Sequence, residues 1–250
     1  MNRFFIDPGG ITNGIAKITG TDAHHIQKVL RLKSGERILL CDGAGWDYDA
    51  AIERLEKTSV LCRVGERRPS MGEPKVRVTL YQGLPKGQKL ELVIQKCVEL
   101  GIARIVPVIT DRVVVKLDSG DAERKALRWR KIAEEAAKQS GRGIIPEITV
   151  PIDFRRACDE SQDSVKVILW EMERENSLRR VLEGRGKSQR ISVLIGPEGG
   201  LSVKETEYAM GRGWERVTIG PRILRTETAG LAVLSAIMYA MEEMEWETRP

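Results

Sequence analysis

The sequence predicts an α/β domain with a mostly parallel sheet, preceded by a small unit that is mainly β. From Lys75 onward, short apolar runs alternate with amphipathic stretches of helical period, which is the pattern of βα units around a parallel sheet. Before Gly72 the runs are strand-like and separated by turn residues, and residues 69–74 form a linker with a proline at each end. We therefore divide the chain into domains 1–72 and 73–250.

The first unit contains one predicted helix among its strands. Ile26, Val29 and Leu30 have the i, i+3, i+4 spacing of a buried helix face, and Thr21 or Asp22 can cap this helix. The strand-like runs follow it at Arg37–Cys41, Trp46–Leu55 and Ser59–Glu66.

The second unit alternates strands and helices to its end. Ser202 and Glu205 form a capping-box sequence. The last helix carries no charge from Ala229 until Glu242, so we expect it to be buried nearly all round, as the sheet's innermost helix or as a subunit interface. The predicted strands are Val76–Tyr81, Arg104–Ile109, Val165–Trp170, Ile191–Ile195 and Arg216–Ile219. The predicted helices are Leu90–Leu100, Ala122–Gln139, Ser177–Glu183, Val203–Gly211 and Thr228–Met244.

The composition is that of a soluble globular protein, with 41% hydrophobic and 31% charged residues. The net charge of +5 allows an anionic partner without requiring one. Residues 1–8 contain no apolar signal core, and the longest uncharged apolar run, Ala229–Met241, is too short to span a membrane. The four cysteines form no CxxC pair and indicate reduced, buried thiols. We expect a cytoplasmic protein.

Ile195–Leu201 is a glycine-rich turn between a predicted strand and a capped helix. Its glycines allow the backbone to approach a ligand, and Pro197 stiffens the turn. Ligands of α/β proteins bind at the carboxyl ends of strands. The glycine spacing does not match a dinucleotide-binding motif, and Gly186-Lys187-Ser188 lacks the earlier glycine of a P-loop. Kinase, NTPase and NAD-binding functions are therefore excluded, and a tight turn without a ligand is the alternative.

A second turn of this kind runs from Ile219 to Thr228. A strand again ends in Gly-Pro, and Thr226 or Thr228 can cap the helix that follows. Arg225 and Glu227 add charge beside backbone groups that can bind an adenine edge or a carboxylate. Two such turns after neighbouring strands favour a shared ligand pocket over two unrelated turns.

The remaining charged clusters are less specific. His24 and His25 lack a third ligand at suitable spacing, so we expect no metal site. The cations between Arg124 and Lys131 form a basic helix face that fits phosphate contact and a solvated surface equally well.

Motifs along nearly the whole chain resemble one enzyme family. The matching segments are Arg3-Phe4-Phe5, His25 with Val29-Leu30-Arg31, Lys86 with Gln95-Lys96 and Glu99-Leu100-Gly101, Glu135–Arg142, Ile195–Gly200 and Arg222–Ala229. In these segments the chain resembles the RsmE-type 16S ribosomal RNA uridine-N3 methyltransferases of the SPOUT superfamily. The resemblance is specific because it rests on all the segments together.

The resemblance implies a fold and a cofactor. Members of this family have a PUA-like β-barrel domain followed by a SPOUT α/β domain with a deep trefoil knot. They are homodimers and bind S-adenosyl-L-methionine in the knot. The implied cofactor-binding residues are Leu169, Trp170, Glu171, Ile195, Gly196, Pro197, Gly199, Gly200, Ile219, Gly220, Ile223, Leu224, Thr226, Thr228 and Ala229.

The implied partner is 16S ribosomal RNA in the small ribosomal subunit, recruited by the first unit. We predict that RNA is contacted by Arg3, His25, Arg31, Lys86, Lys96, Lys138 and Arg142. Two alternatives stay open at this point. The chain could methylate another RNA, such as tRNA or 23S ribosomal RNA, or it could be a non-catalytic RNA-binding assembly factor.

The implied chemistry needs a group that handles a proton. Uracil N3 carries a proton at neutral pH, so the site needs a base or a cation that stabilises the uracil anion. Arg225 is predicted to lie beside the target base or its phosphate. Glu198, Glu227 and Glu171 are the candidate bases, and the sequence does not rank them.

Overall fold

The chain forms two compact units in the computed structural model, which describes residues 1–7, 9–113, 119–183, 185 and 189–245. The first unit is residues 1–73 with 137–145, and the second is residues 74–136 with 146–250. Segment 137–145, which the sequence analysis assigns to the second domain, thus belongs to the first unit. Residues 186–188, which contain the rejected P-loop sequence, lie outside the described residues.

The first unit is built on a six-stranded sheet. Its strands are β1 (Arg3–Phe5), β2 (Ile11–Thr12), β3 (Ile15–Thr19), β4 (Arg37–Cys41), β5 (Trp46–Leu55) and β6 (Ser59–Pro69), and their order in the sheet is β1-β4-β5-β6-β3-β2. Only β1 and β4 pair in parallel. Ile26, Ile38, Leu40 and Ile52 lie in the core of this unit.

The helix of the first unit differs from its prediction. Helix α1 (Gly20–His24) continues as a π-helical turn over His25–Val29. Thr19 is at the N-cap and makes no capping hydrogen bond with its side chain, so the predicted cap at Thr21 or Asp22 is wrong. Ile26 is buried as expected, whereas Val29 is exposed, because the π-helical turn widens the residue spacing from the α-helical 3.6.

The second unit is built on a seven-stranded parallel sheet. Its strands are β7 (Arg77–Gly83), β8 (Arg104–Ile109), β9 (Glu147–Ile148), β10 (Ile152–Asp153), β11 (Val165–Leu169), β12 (Arg190–Ile195) and β13 (Glu215–Val217). The order is β10-β8-β7-β12-β11-β13, with β9 also on β8. The helices are α2 (Lys89–Glu99), α3 (Ser119–Ser140), α4 (Phe154–Glu160), α5 (Leu178–Leu182), α6 (Val203–Met210) and α7 (Thr226–Ala240).

Both faces of this sheet are covered, as expected for parallel strands. Helices α4 and α6 pack against each other, and Phe154, Ala209 and Trp214 join the core that contains Tyr81 of β7. On the other side, α2 and α7 pack together, and α7 lies on β7 and β12. The mixed α/β class that the sequence predicts is confirmed.

The last helix is less buried than its composition suggests. Val233, Leu234 and Ile237 of α7 are buried, but Ala236 and Tyr239 on another face are exposed, Tyr239 at 77%. The prediction of burial nearly all round is therefore wrong for a single chain, although the alternative of a subunit interface is compatible with an exposed apolar face.

The cysteines are as predicted. Cys41, Cys62, Cys97 and Cys158 are all buried free thiols. Burial raises the pKa of Cys97 and of Cys158 to about 12, which makes both thiols unreactive at neutral pH. In the described part of the chain, no helix is long and apolar enough to cross a membrane, and no three His, Cys, Asp or Glu side chains are grouped as metal ligands.

Candidate active site

A pocket lies at the carboxyl ends of three neighbouring strands of the second unit. Leu169, the last residue of β11, is in register with Ile195 of β12 on one side and Val217 of β13 on the other. The turns that follow these strands enclose a cavity of about 360 Å³. This is the position at which α/β sheets bind ligands, and the volume is in the range of small-molecule sites.

The first glycine-rich turn is packed so closely that larger residues would not fit. A Cβ at Gly196 would lie 3.1 Å from the carbonyl carbon of Gly200, and Gly200 has a φ of +69°. Behind the turn, a Cβ at Gly83 would lie 2.7 Å from the backbone nitrogen of Pro197. The glycines therefore bring two strand ends and the turn into direct backbone contact.

Thr226 connects the two turns. Its Oγ1 donates to the carbonyl oxygen of Gly196 over 2.7 Å and accepts from Nε2 of the buried Gln82 over 2.9 Å. Arg225, not Thr226 or Thr228, is at the N-cap of α7, and no side chain caps this helix. The predicted cap is wrong because the Thr226 hydroxyl is used in this link between turns.

Most of the predicted cofactor residues line the pocket. Those that do are Leu169, Trp170, Glu171, Ile195, Gly196, Pro197, Gly200, Ile219, Gly220, Ile223, Leu224, Thr226 and Ala229. Gly199 and Thr228 are outside the lining, although both are in the turns. Six further residues line the pocket and are not among the implied cofactor residues: Lys89, Arg174, Leu201, Thr218, Pro221 and Arg222. Leu201, Pro221 and Arg222 lie inside the two turns and could have been included, whereas nothing local marks Lys89 or Arg174.

Two of the three candidate bases are paired with the same lysine. Glu198 Oε1 is 3.0 Å from Lys89 Nζ and also accepts from the backbone nitrogen of Lys86 over 3.1 Å. Burial raises the pKa of Glu198, but the hydrogen bonds from Lys89 and Lys86 outweigh it and hold this pKa below its ordinary value. Glu227 Oε2 is 3.4 Å from the same Lys89 Nζ.

Glu171 differs from both. It lines the pocket and is exposed, and its carboxylate has no hydrogen bond or ion pair with any other described residue. The neighbouring wall is fixed by Arg216, whose guanidinium carbon lies 4.5 Å from the centre of the Trp170 ring. The structure thus separates one unpaired carboxylate from two paired ones.

Four exposed arginines surround the pocket, and we call Arg112, Arg174, Arg222 and Arg225 the pocket-mouth arginines. Arg112 Nη1 donates to the carbonyl oxygen of Gly199 over 2.6 Å, and Arg174 Nη1 donates to that of Glu171 over 2.9 Å. Among the described residues, none of the four has a carboxylate oxygen within 4.0 Å. Their positive charge is therefore left without a counter-charge from this part of the protein.

The predicted RNA contacts fall into two groups. His25, Arg31 and Lys86 are exposed. The other four are paired with carboxylates: Arg3 with Asp47, Lys96 with Glu99, Lys138 with Asp22 and Arg142 with Glu73. The Arg142 side chain is only 4% exposed, which leaves no room for a phosphate in this structure. Its predicted RNA contact is not supported.

Comparison with known proteins finds RNA methyltransferases that are similar over most of the chain. The family model for the RNA methyltransferase domain matches residues 72–238, and that for the RNA methyltransferase PUA domain matches residues 18–65. The ribosomal RNA small subunit methyltransferase E of Bacillus subtilis (strain 168) is 37% identical over 230 residues, which cover 90% of both chains. The protein of the same name from Mesomycoplasma hyopneumoniae (strain 232) is 32% identical, and the match covers 94% of this chain and 98% of the relative.

A solved structure is similar over the same length. The ribosomal RNA small subunit methyltransferase E of Neisseria gonorrhoeae, bound to S-adenosyl methionine, superimposes with a TM-score of 0.85 at 31% identity, covering 96% of this chain and 97% of that one. With both domain models matched in order along the sequence, the chain belongs to the RNA methyltransferase family that includes the ribosomal RNA small subunit methyltransferases E.

Proposed function

We propose that the chain methylates N3 of a uridine in the 16S ribosomal RNA of the small subunit, with S-adenosylmethionine as the methyl donor. The observation that carries this proposal is the pocket at the ends of β11, β12 and β13, with a carboxylate and arginines at its edge that form no ion pair with any described residue. The names of the relatives supply the substrate class, because three of the proteins matched over most of the chain are small-subunit methyltransferases.

The pocket fits this cofactor in size and chemistry. Leu169, Ile195 and Leu224 offer apolar contacts for the adenosine, and the two glycine-containing turns offer backbone groups that can approach it closely. The cofactor supplies an electrophilic methyl group on a sulfonium. The protein must therefore position it and prepare the nucleophile.

We assign the proton-accepting role to Glu171. Uracil N3 becomes a good nucleophile when it loses its proton, and a carboxylate accepts that proton only if it is not already neutralised. Glu198 and Glu227 are both held by Lys89, whereas the Glu171 carboxylate, at the edge of the pocket, has no partner in the described part of the chain. Arg225, which lines the same pocket without a carboxylate partner, stabilises the negative charge that develops on the uracil.

RNA reaches this pocket through exposed cations that have no carboxylate partner among the residues that the structure describes. The pocket-mouth arginines contact the phosphates that flank the target, and the exposed His25 and Arg31 of the first unit contribute to recruitment. Because N3 is on the Watson–Crick edge of the base, the target uridine must be unpaired or turned out of its stack.

Further properties of the family follow as proposals. We propose a homodimer in which a second copy covers the exposed apolar face of α7 around Tyr239.

We also propose a trefoil knot at the two turns. The path of the chain supports this proposal, because it leaves β13 at the edge of the sheet and returns through Thr226 to Gly196 and Gln82, beside the central strands β12 and β7. Because the proposed substrate is ribosomal RNA, we also propose that the protein acts in the cytoplasm. Closure of the first unit's sheet into a barrel stays a prediction.

The test is methylation of purified small ribosomal subunits from a strain that lacks the corresponding enzyme. With tritiated S-adenosylmethionine and the full chain, we expect about one methyl group per subunit, mapped by mass spectrometry to a single 3-methyluridine. Incorporation only into tRNA or 23S ribosomal RNA would show that this RNA, and not 16S ribosomal RNA, is the substrate. Absence of transfer to any RNA, with RNA binding retained, would indicate the non-catalytic assembly factor instead.

A further inference from the structure

Lys89 occupies a position that neither the sequence motifs nor the comparisons assign. It is the first residue of α2, and its Nζ lies 3.0 Å from Glu198 Oε1 and 3.4 Å from Glu227 Oε2. Glu198 belongs to the first glycine-rich turn, and Glu227 belongs to the end of the second, which forms the first turn of α7. One ammonium group therefore contacts both sides of the pocket.

The charge balance at this point is different from that of the pocket-mouth arginines. Lys89 also lines the pocket, but it is paired with two carboxylates, whereas the arginines have none among the described residues. The hydrogen bond with Glu198 raises the pKa of Lys89 despite the opposing effect of burial. Lys89 is thus bound to the protein's own carboxylates, which sets it apart from the pocket-mouth arginines.

A second contact holds the same Glu198 carboxylate. The backbone nitrogen of Lys86 donates to Oε1 and, over 3.3 Å, to Oε2 of Glu198. The Glu198 carboxylate is therefore held by the backbone of Lys86, before α2, and by the ammonium group of Lys89 at the start of α2. Lys89 extends this link to Glu227. An uncharged link also joins the same two turns. Thr226 of the second turn is hydrogen-bonded to Gly196 of the first turn and to Gln82 of β7.

We propose that Lys89 is a positioning residue, which holds the two turns at the separation that the cofactor needs through its contacts with Glu198 and Glu227. This proposal rests on the proposed function. If Lys89 acts in this way, it sets the affinity for S-adenosylmethionine and not the rate of methyl transfer once the cofactor is bound. Removing it leaves two carboxylates close together without a counter-charge, and their repulsion separates the turns.

The experiment compares four full-length proteins: wild type, K89M, E198Q/E227Q and K89M/E198Q/E227Q. We expect K89M to raise the calorimetric Kd and the KM for S-adenosylmethionine about tenfold or more. At saturating cofactor, kcat on small subunits stays within about threefold of wild type. The triple variant should bind the cofactor more tightly than K89M, because it no longer contains the repelling charges. K204M, at an exposed position of α6 outside the pocket lining, is the matched control and should leave the Kd and the KM unchanged.

The other outcomes contradict either the positioning role of Lys89 or the proposed function of the protein. If kcat falls while the cofactor Kd is unchanged, Lys89 acts in the transfer step and the proposal is wrong. If the effect of K89M is the same with and without the two carboxylates, Lys89 acts on the cofactor directly and the positioning role is also wrong. Wild-type protein that binds no S-adenosylmethionine would overturn the proposed function itself. Thermal unfolding of all the variants identifies any that have lost the fold, and in that case K89Q, which is uncharged and polar, replaces K89M in the same comparison.

Discussion

Arg142 in the first unit and Arg225 in the second both belong to segments that carry the family resemblance of the sequence, yet their surroundings are opposite. The guanidinium of Arg142 is almost fully buried and is 2.7 Å from Glu73 Oε2, and Glu73 also accepts from the backbone nitrogens of Gly143 and Ile144. Arg225 is exposed at the pocket and has no carboxylate partner among the described residues. The same residue type closes a loop in one unit and leaves its charge free in the other.

This difference separates two uses of positive charge that look identical in a sequence. A buried pair has lost its water, so its value lies in fixing the chain, and removing one partner is costly. An exposed arginine whose partner among the described residues is a carbonyl oxygen, like Arg112 or Arg174, can pair its charge with an anionic ligand. We therefore expect the cations of Arg3, Lys138 and Arg142 to stabilise the fold and the pocket-mouth arginines to bind RNA.

The largest expected effect is on the transfer step. E171Q removes the unpaired carboxylate and should lower kcat on small subunits about a hundredfold or more, with cofactor affinity retained, because a general base typically contributes a factor of this size. E175Q, four residues away and outside the pocket, is the matched control and should be as active as wild type. If E171Q is fully active, either the base is another group or Arg225 alone promotes loss of the proton.

The next effect is on the stability of the first unit, in which Arg142 is paired with Glu73. R142Q leaves Glu73 without its ion-pair partner and should destabilise β4 and β5 by about 3 kcal/mol, as measured by native-state hydrogen exchange of their amides. R179Q breaks an exposed pair on α5 and should change stability by less than about 0.5 kcal/mol. Unchanged exchange in R142Q would contradict a structural role for this arginine.

A smaller effect tests the free charges directly. The slope of the logarithm of RNA affinity against that of salt concentration should fall by about 0.7 in R222Q, as expected for the loss of one phosphate contact on single-stranded RNA. R3Q, whose guanidinium is paired with Asp47, should leave the slope unchanged, as should R156Q on α4. An equal fall in R3Q and R222Q would remove the distinction between the two groups of cations.

The smallest expected change concerns assembly and not the pocket. Y239E places a charge on the exposed face of α7 and should convert a dimer into a monomer in sedimentation equilibrium, with the fold retained. A wild-type protein that is monomeric at all concentrations would contradict the proposed dimer.

The regular elements of the second unit were predictable because their pattern is local. Strand Arg104–Ile109 has the predicted bounds, and the capping box of Ser202 and Glu205 is present. The helix Phe154–Glu160, capped by Asp153, was missed since its seven residues are too few for a clear period. The strands β1, β2, β3, β9 and β10, which have two to five residues each, were missed for a similar reason.

The parts of the site that escaped prediction depend on contacts across long stretches of chain. Lys89 meets Glu198 and Glu227 only after the sheet has formed, and Arg142 meets Glu73 after segment 137–145 joins the first unit. That last contact also changes how the units can be separated. A deletion of residues 1–72 alone would leave 137–145 without the strands that it packs on, so tests of RNA recruitment require substitutions in the full chain.

The most direct test of the account is to measure cofactor affinity and methyl transfer on the same R225Q preparation. If Arg225 acts on RNA and the glycine-containing turns bind the cofactor, calorimetry should give a Kd for S-adenosylmethionine within about twofold of wild type, while transfer to small subunits falls about a hundredfold or more. Equal losses of cofactor binding and of transfer would contradict the separation of roles. In that case Arg225 would be part of the cofactor site.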